Sequence, residues 1–117
     1  MYKYKLKRPR HCGVSLTMEV LGGKWKACLL SSLQRGVHRP SELHRAHPTA
    51  TPRVLNQQLR ELIVHGMVAK KVHSTVPAVV EYFLTAEGET LLGIIDDIRA
   101  WGDTHGEALR ARLAVLA

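Results

Sequence analysis

The sequence predicts a mainly α-helical fold carrying one small β-hairpin, and three observations predict it. Apolar residues recur at 3- and 4-residue spacing along most of the chain, punctuated by Gly and Pro where helices stop and start. Two runs rich in β-branched and aromatic residues, 67–73 and 79–84, are separated only by residues 74–78, a link too short for anything but an antiparallel pair. A long apolar-periodic segment follows from Ala86.

The elements follow in order. Residues 1–11 form a basic arm with Lys3, Lys5, Lys7, Arg8 and Arg10, and residues 12–117 form a single domain. Residues 14–21 are a short periodic helix ended by Gly22 and Gly23. Residues 24–33 are a second, offering Trp25, Cys28, Leu29 and Leu33 to the core, with Cys28 expected as a small buried residue. A third, short helix starts at Pro40-Ser41, where Ser41 can cap and Glu42 suits the positive helix end; it stops before Pro48. The fourth starts with Thr51 as cap and Pro52 at the first helical position, and ends at Gly66, where a left-handed residue is wanted.

After the hairpin, Thr85 caps the last helical segment, which Gly102 and Gly106 are expected to bend or interrupt. Its Leu91, Leu92, Ile94, Ile95, Ile98 and Trp101 cover more than one narrow stripe. A domain this small cannot easily bury both sides, so a second copy of the chain is expected to cover them. The layout is a helix-turn-helix at about 41–65, a hairpin at about 67–85, and dimerisation helices at about 13–21 and 86–116. This order is that of a winged helix-turn-helix with a long C-terminal dimerisation helix.

Charge points to a polyanion partner. The chain has 17 Lys and Arg against 10 Asp and Glu, a net charge of +7. Basic residues gather in the arm, on the fourth helix and at Lys70 and Lys71, while the region from Ala86 on carries no basic excess. No apolar run approaches the ~18 residues of a membrane span, and the basic start lacks a signal-peptide core, so no membrane partner and a place in the cytoplasm are expected. Two cysteines do not make a disulfide framework.

The fourth helix has two faces with opposite jobs. Leu55, Leu59 and Leu62 make the apolar stripe, and Arg53, Asn56, Gln57 and Arg60 fall on the other side. Arg pairs bidentately with guanine, and Asn or Gln with adenine, so these four are expected to read double-stranded DNA. Thr51 at the helix N-terminus, Lys24 and Lys26 at the second helix, and Lys70, Lys71 and His73 on the hairpin are candidates for phosphate contacts.

Taken together, CGVSLTMEVLGGKWKACLL, SELHRA, LNQQLRELIVHGMV and VPAVVEYFLTAEG resemble the HxlR family of transcription regulators over residues 12–105. The resemblance implies a winged-helix homodimer on a palindromic or pseudo-palindromic operator, with the first and last helices forming most of the dimer interface, here Leu16 and Val20 with Leu91, Leu92, Ile95, Ile98 and Trp101. It also implies, for some members, sensing of oxidants or electrophiles by a cysteine just before the first helix, here Cys12. This chain departs from the pattern with Gly13 after that cysteine, where Pro is common, and with Val79 at the wing tip, where a basic residue is common.

Three functions follow in order of support. The first is a sequence-specific, dimeric DNA-binding regulator. The second is a redox or electrophile sensor whose chemistry is at Cys12, flanked by Arg10 and His11 and close to a helix N-terminus, both of which favour thiolate. The third is a winged helix that has lost DNA binding and serves protein interaction, which Val79 makes conceivable. No cofactor is implied and no metal set is recognisable: His44 and His47 are 3 apart and His11 adjoins Cys12, but there is no HExxH or CxxC. An enzyme is not expected, because no nucleophile motif, phosphate-cradling glycine loop or carboxylate pair in a cleft is present. Asp96 and Asp97 point about 100° apart on a helix.

Overall fold

A computed structural model describes residues 12–117, and the basic arm lies outside the described residues. The elements are α1 (Gly13–Leu21), α2 (Lys26–Gln34), α3 (Pro40–Ala46), α4 (Pro52–Val64), β1 (Val68–His73), β2 (Val79–Leu84), α5 (Ala86–Glu89) and α6 (Leu92–Leu113), closed by a 3₁₀ turn, Ala114–Leu116. No helix among the described residues is long and apolar enough to cross a membrane.

The core is aliphatic and centred on α2 and α4. Leu29, Leu30 and Leu33 of α2 meet Leu43 of α3 and Leu55, Leu59 and Leu62 of α4, and Leu21, Met67, Val68, Tyr82 and Ile95 complete the cluster. Each fully buried leucine contributes roughly 1.5–3 kcal/mol. The strands pair antiparallel from Val68 opposite Leu84 to His73 opposite Val79. The chain leading into α3 is tied to the hairpin. The Tyr82 amide donates to the His38 carbonyl at 2.9 Å, and His38 Nδ1 donates back to the Tyr82 carbonyl at 2.8 Å.

Helix phase reverses two expectations in α2. Leu29, Leu30 and Leu33 define its inward side, and one turn earlier that side holds Lys26, which is buried. Cys28 falls opposite and is exposed, not a core residue. The helix begins at Lys26, so Gly22 to Trp25 are a connection and not its first turn. In α3 the cap position is Arg39, one residue before Pro40, so Ser41 lies inside the helix. The Glu42 carboxylate accepts the Arg39 amide at 3.3 Å.

The C-terminal segment breaks where no glycine stands. Helix α6 runs unbroken through Gly102 and Gly106, and the interruption falls at Thr90-Leu91. There the Thr90 and Leu91 amides bond the carbonyls three residues back, both at 3.1 Å, and Thr90 Oγ1 donates to the Glu87 carbonyl at 2.5 Å. This tighter turn redirects the chain. Two isolated glycines cost the following helix only about 1 kcal/mol each relative to alanine, which its length absorbs.

The expected dimer face is corrected at one position. Ile95 is only 4% exposed and belongs to the domain's own core, because α6 turns that side toward α2. Val20 and Leu91 are half-buried against the same core, and Leu92 is half-buried. Leu16, Ile94, Ile98 and Trp101 remain exposed.

Candidate nucleic-acid interface

Helix α4 is positioned by its cap and its leucines. Thr51 is extended, and its Oγ1 accepts the Val54 amide at 3.2 Å, fixing the first turn with Pro52 at the first position. Burial of Leu55, Leu59 and Leu62 then turns Arg53, Asn56 and Arg60 fully, and Gln57 partly, to solvent.

The wing side of α4 forms a cleft of about 320 Å³ lined by Pro40, Asn56, Arg60, Ile63, Lys70, Val80 and Tyr82. Lys70 and Arg60 therefore share one concave surface, and neither has an ion-pair partner among the described residues. Strand alternation sends Lys71 to the other face of the hairpin, directly opposite Glu81, whose carboxylate also holds His73 Nε2 at 2.5 Å. The structure thus brings Lys70, but not Lys71 or His73, to the reading helix. The tip around residues 74–78 is exposed and uncharged, in line with Val79 at its edge.

Lys24, just ahead of α2, and Lys26, its first residue, part company. Lys24 is exposed, its ammonium 5.3 Å from the centre of the Trp25 ring. Lys26 turns inward, away from the surface expected of a phosphate clamp: its Nζ lies 2.8 Å from Glu61 Oε2, with side-chain exposures of 7% and 22%. Its charge is spent inside the protein because the leucines of α2 fix its side of the helix inward.

One contact at the reading face has no counterpart in the sequence reading. His44 Nε2 lies 3.3 Å from Asn56 Oδ1, so an Nε2–H tautomer donates to the amide oxygen and fixes which way Asn56 presents its NH₂. In the sequence His44 stood out only as half of a His–His spacing. A short helix ahead of the reading helix is the signal that its side chains can touch, but it does not say which.

Cys12 occupies the N-cap position of α1 and is exposed. The Ser15 amide, then the Val14 amide, then the Ser15 hydroxyl, all at this helix start, favour the thiolate and lower its pKa from the ordinary thiol value. Arg10 and His11 lie outside the described residues.

Comparison with known proteins agrees with this geometry. The profile of the HxlR-like helix-turn-helix family matches residues 20–110. The HTH-type transcriptional regulator YtcD of Bacillus subtilis is 44% identical over 99 residues, 85% of this chain and 79% of that protein. The crystal structure of ytcD superposes with a TM-score of 0.78 at 45% identity, covering 82% of this chain and 98% of that one. The redox regulator HypR in its reduced form gives 0.81 at 39% identity, covering 86% and 99%. Its oxidized form gives 0.75 at 42%, covering 80% and 96%. With the match spanning its helix-turn-helix, hairpin and most of its long last helix, the chain belongs to the HxlR-like helix-turn-helix family of transcription regulators.

Proposed function

We propose that the chain acts in the cytoplasm as a homodimer that reads a palindromic operator through α4, with Arg53, Asn56, Gln57 and Arg60 on base edges and Thr51, Lys24 and Lys70 on phosphates. The observation that carries this reading is the presentation of that polar quartet on the side of α4 opposite its buried leucines, beside Lys70 in one cleft. Lys71 is a weaker phosphate contact, since it stands opposite Glu81 on the far hairpin face. Exposed Leu16 on α1 and Ile98 and Trp101 on α6 supply the self-association surface. The reading assigns no catalysis and no cofactor.

The test starts from duplexes selected out of a random-sequence pool by the native chain. Arg53→Ala with Arg60→Ala is expected to lower affinity for the selected duplex by at least about tenfold, since each bidentate contact is worth about 1–3 kcal/mol. It should also flatten the fall of log affinity with log salt. An unchanged affinity would turn the reading toward a protein-interaction module.

A second reading is favoured by one observation, the exposed Cys12 at the N-cap of α1, where the amides of the first turn favour the thiolate. Here a two-electron oxidant such as hydrogen peroxide converts the thiolate to sulfenate, and the peroxide is reduced to water. Relatives include a regulator solved in reduced and oxidized forms, which supports the idea by analogy. Peroxide treatment is expected to change operator affinity of the native chain and to leave Cys12→Ser unaffected. Equal responses of the two would remove Cys12 as the sensor.

A further inference from the structure

The Gly22 to Trp25 turn, GGKW in the sequence, is left without a role once Lys26 is removed from the DNA contacts. Its surroundings supply one. Beyond its buried leucines and its reading face, α4 has a polar flank in which Gln58 and Glu61 stand one turn apart. Both are held by this turn and the residue after it. The Trp25 amide donates to Gln58 Oε1 at 3.1 Å, and Lys26 Nζ pairs with Glu61 Oε2 at 2.8 Å. Gly23 lies so close that a Cβ there would stand 3.4 Å from Gln58 Nε2, and its φ of +98° is one that other residues rarely adopt.

Leucine packing is non-directional, so a stripe of three leucines tolerates a small rotation of α4 about its own axis. Hydrogen bonds and a charge-assisted pair are directional and do not. Base readout needs side chains held within about 0.5 Å and 10–20° of the productive geometry. A largely buried ion pair is a poor source of stability, because desolvation offsets its attraction, but it can enforce one arrangement over near neighbours. The pair joins α2 to the flank of α4 next to the reading face.

We infer that Lys26 and the Trp25 amide, by holding Glu61 and Gln58, fix the roll of α4 and so set where Arg53, Asn56, Gln57 and Arg60 meet the bases. Lys26, Glu61 and Gln58 are positioning residues: they touch no DNA. The inference rests on the DNA-reading role proposed for α4.

The experiment replaces the pair with apolar side chains of similar volume, Lys26→Met with Glu61→Leu, in the full chain. Affinity is measured for a duplex selected by the native chain and for a shuffled duplex, over a salt series. Amide relaxation dispersion of α4 is recorded on the DNA-free protein. The expected result is a melting temperature changed little, a preference for the selected duplex reduced at least about tenfold, an unchanged salt slope, and new exchange broadening along α4. Unchanged preference with unbroadened α4 amides overturns the inference. So does a salt slope reduced by about 2 per dimer, which would make Lys26 a phosphate contact after all. Should the double variant fail to fold, Glu61→Gln, which keeps an acceptor and removes the charge, carries the same readouts. If the native chain prefers no duplex over another, the DNA reading fails, while the α4 broadening still decides the brace.

Discussion

His47 and His65 are where this domain meets pH. Burial, then the positive charge of Arg35, holds the His47 imidazole below its ordinary pKa; its Nε2 lies 3.0 Å from Ser32 Oγ. Burial, then Lys26, lowers His65 as well, with Glu61 and Glu19 opposing. His65 Nδ1 is buried without a hydrogen-bond partner, so a proton there would be an unsatisfied donor. Both groups are neutral in the fold and titrate lower than in the unfolded chain, where histidine sits near 6.5. Above about pH 6.5 neither state takes up protons on these groups; below it the unfolded chain binds protons that the fold refuses, and stability falls toward the folded pKa values. Melting temperature is therefore expected to be flat from about pH 8 to 7 and to drop below about 6.5. His47→Gln, which can keep a bond to Ser32, should make that drop shallower. An identical pH profile in the variant would assign the drop to other groups.

At the scale of elements, the connection from hairpin to α5 is the least forgiving place in the chain. Thr85 Oγ1 donates to the Gly66 carbonyl at 2.6 Å and accepts the Gly88 amide at 3.0 Å, stapling the end of α4 to the start of α5. Gly66 itself has φ +83°, the left-handed stop anticipated from its place after His65. Gly88 is required for a different reason: a Cβ there would lie 2.1 Å from the Met67 carbonyl oxygen, which is backbone and cannot swing aside. Gly88→Ala is expected to cost about 3 kcal/mol, at the upper end of overpacking penalties, measured by denaturant unfolding. Gly93→Ala is the control, since a Cβ there meets nothing within 4 Å. It should be neutral or stabilise by up to about 1 kcal/mol. Similar losses in both variants would contradict the close approach at Gly88. The VPAVVEYFLTAEG string thus has a physical account at its last position, one visible only when α5 is laid against Met67, just ahead of β1.

The whole molecule is longer than its mass requires. Its radius of gyration is 15.8 Å with extents of 51 × 33 × 28 Å, against about 13 Å for a compact domain of this length. Helix α6, 22 residues long, accounts for the excess by running past the core that only its first turns touch. Beyond Ile95, Ile98 and Trp101 are 52% and 59% exposed, and Leu109 and Leu113 follow on the same helix. In the proposed homodimer, this open indole is among the surfaces that a second copy would cover. Trp101→Glu is expected to shift the chain from dimer to monomer by light scattering. It should weaken binding to a two-half-site duplex on the order of 100-fold, as the second reading head is lost. A variant that remains dimeric would move the interface off α6.

Local chemistry alone determined the element order, the Thr51 and Thr85 caps, the stop at Gly66, the hairpin and the two-faced α4. Each of these depends on periodicity or on a residue's own backbone preference. The exposure of Arg53, Asn56 and Arg60 was legible for the same reason, since one stripe of leucines dictates where the other side chains point. Only the tertiary structure decided the roles of Lys26, Cys28, His44, Ile95 and the Thr90-Leu91 break. Each depends on which neighbour a side chain meets across the fold. Lys26 carries the same chemistry as Lys24, but Lys24 stays exposed in the connection ahead of α2, while the leucines of α2 turn Lys26 inward onto Glu61.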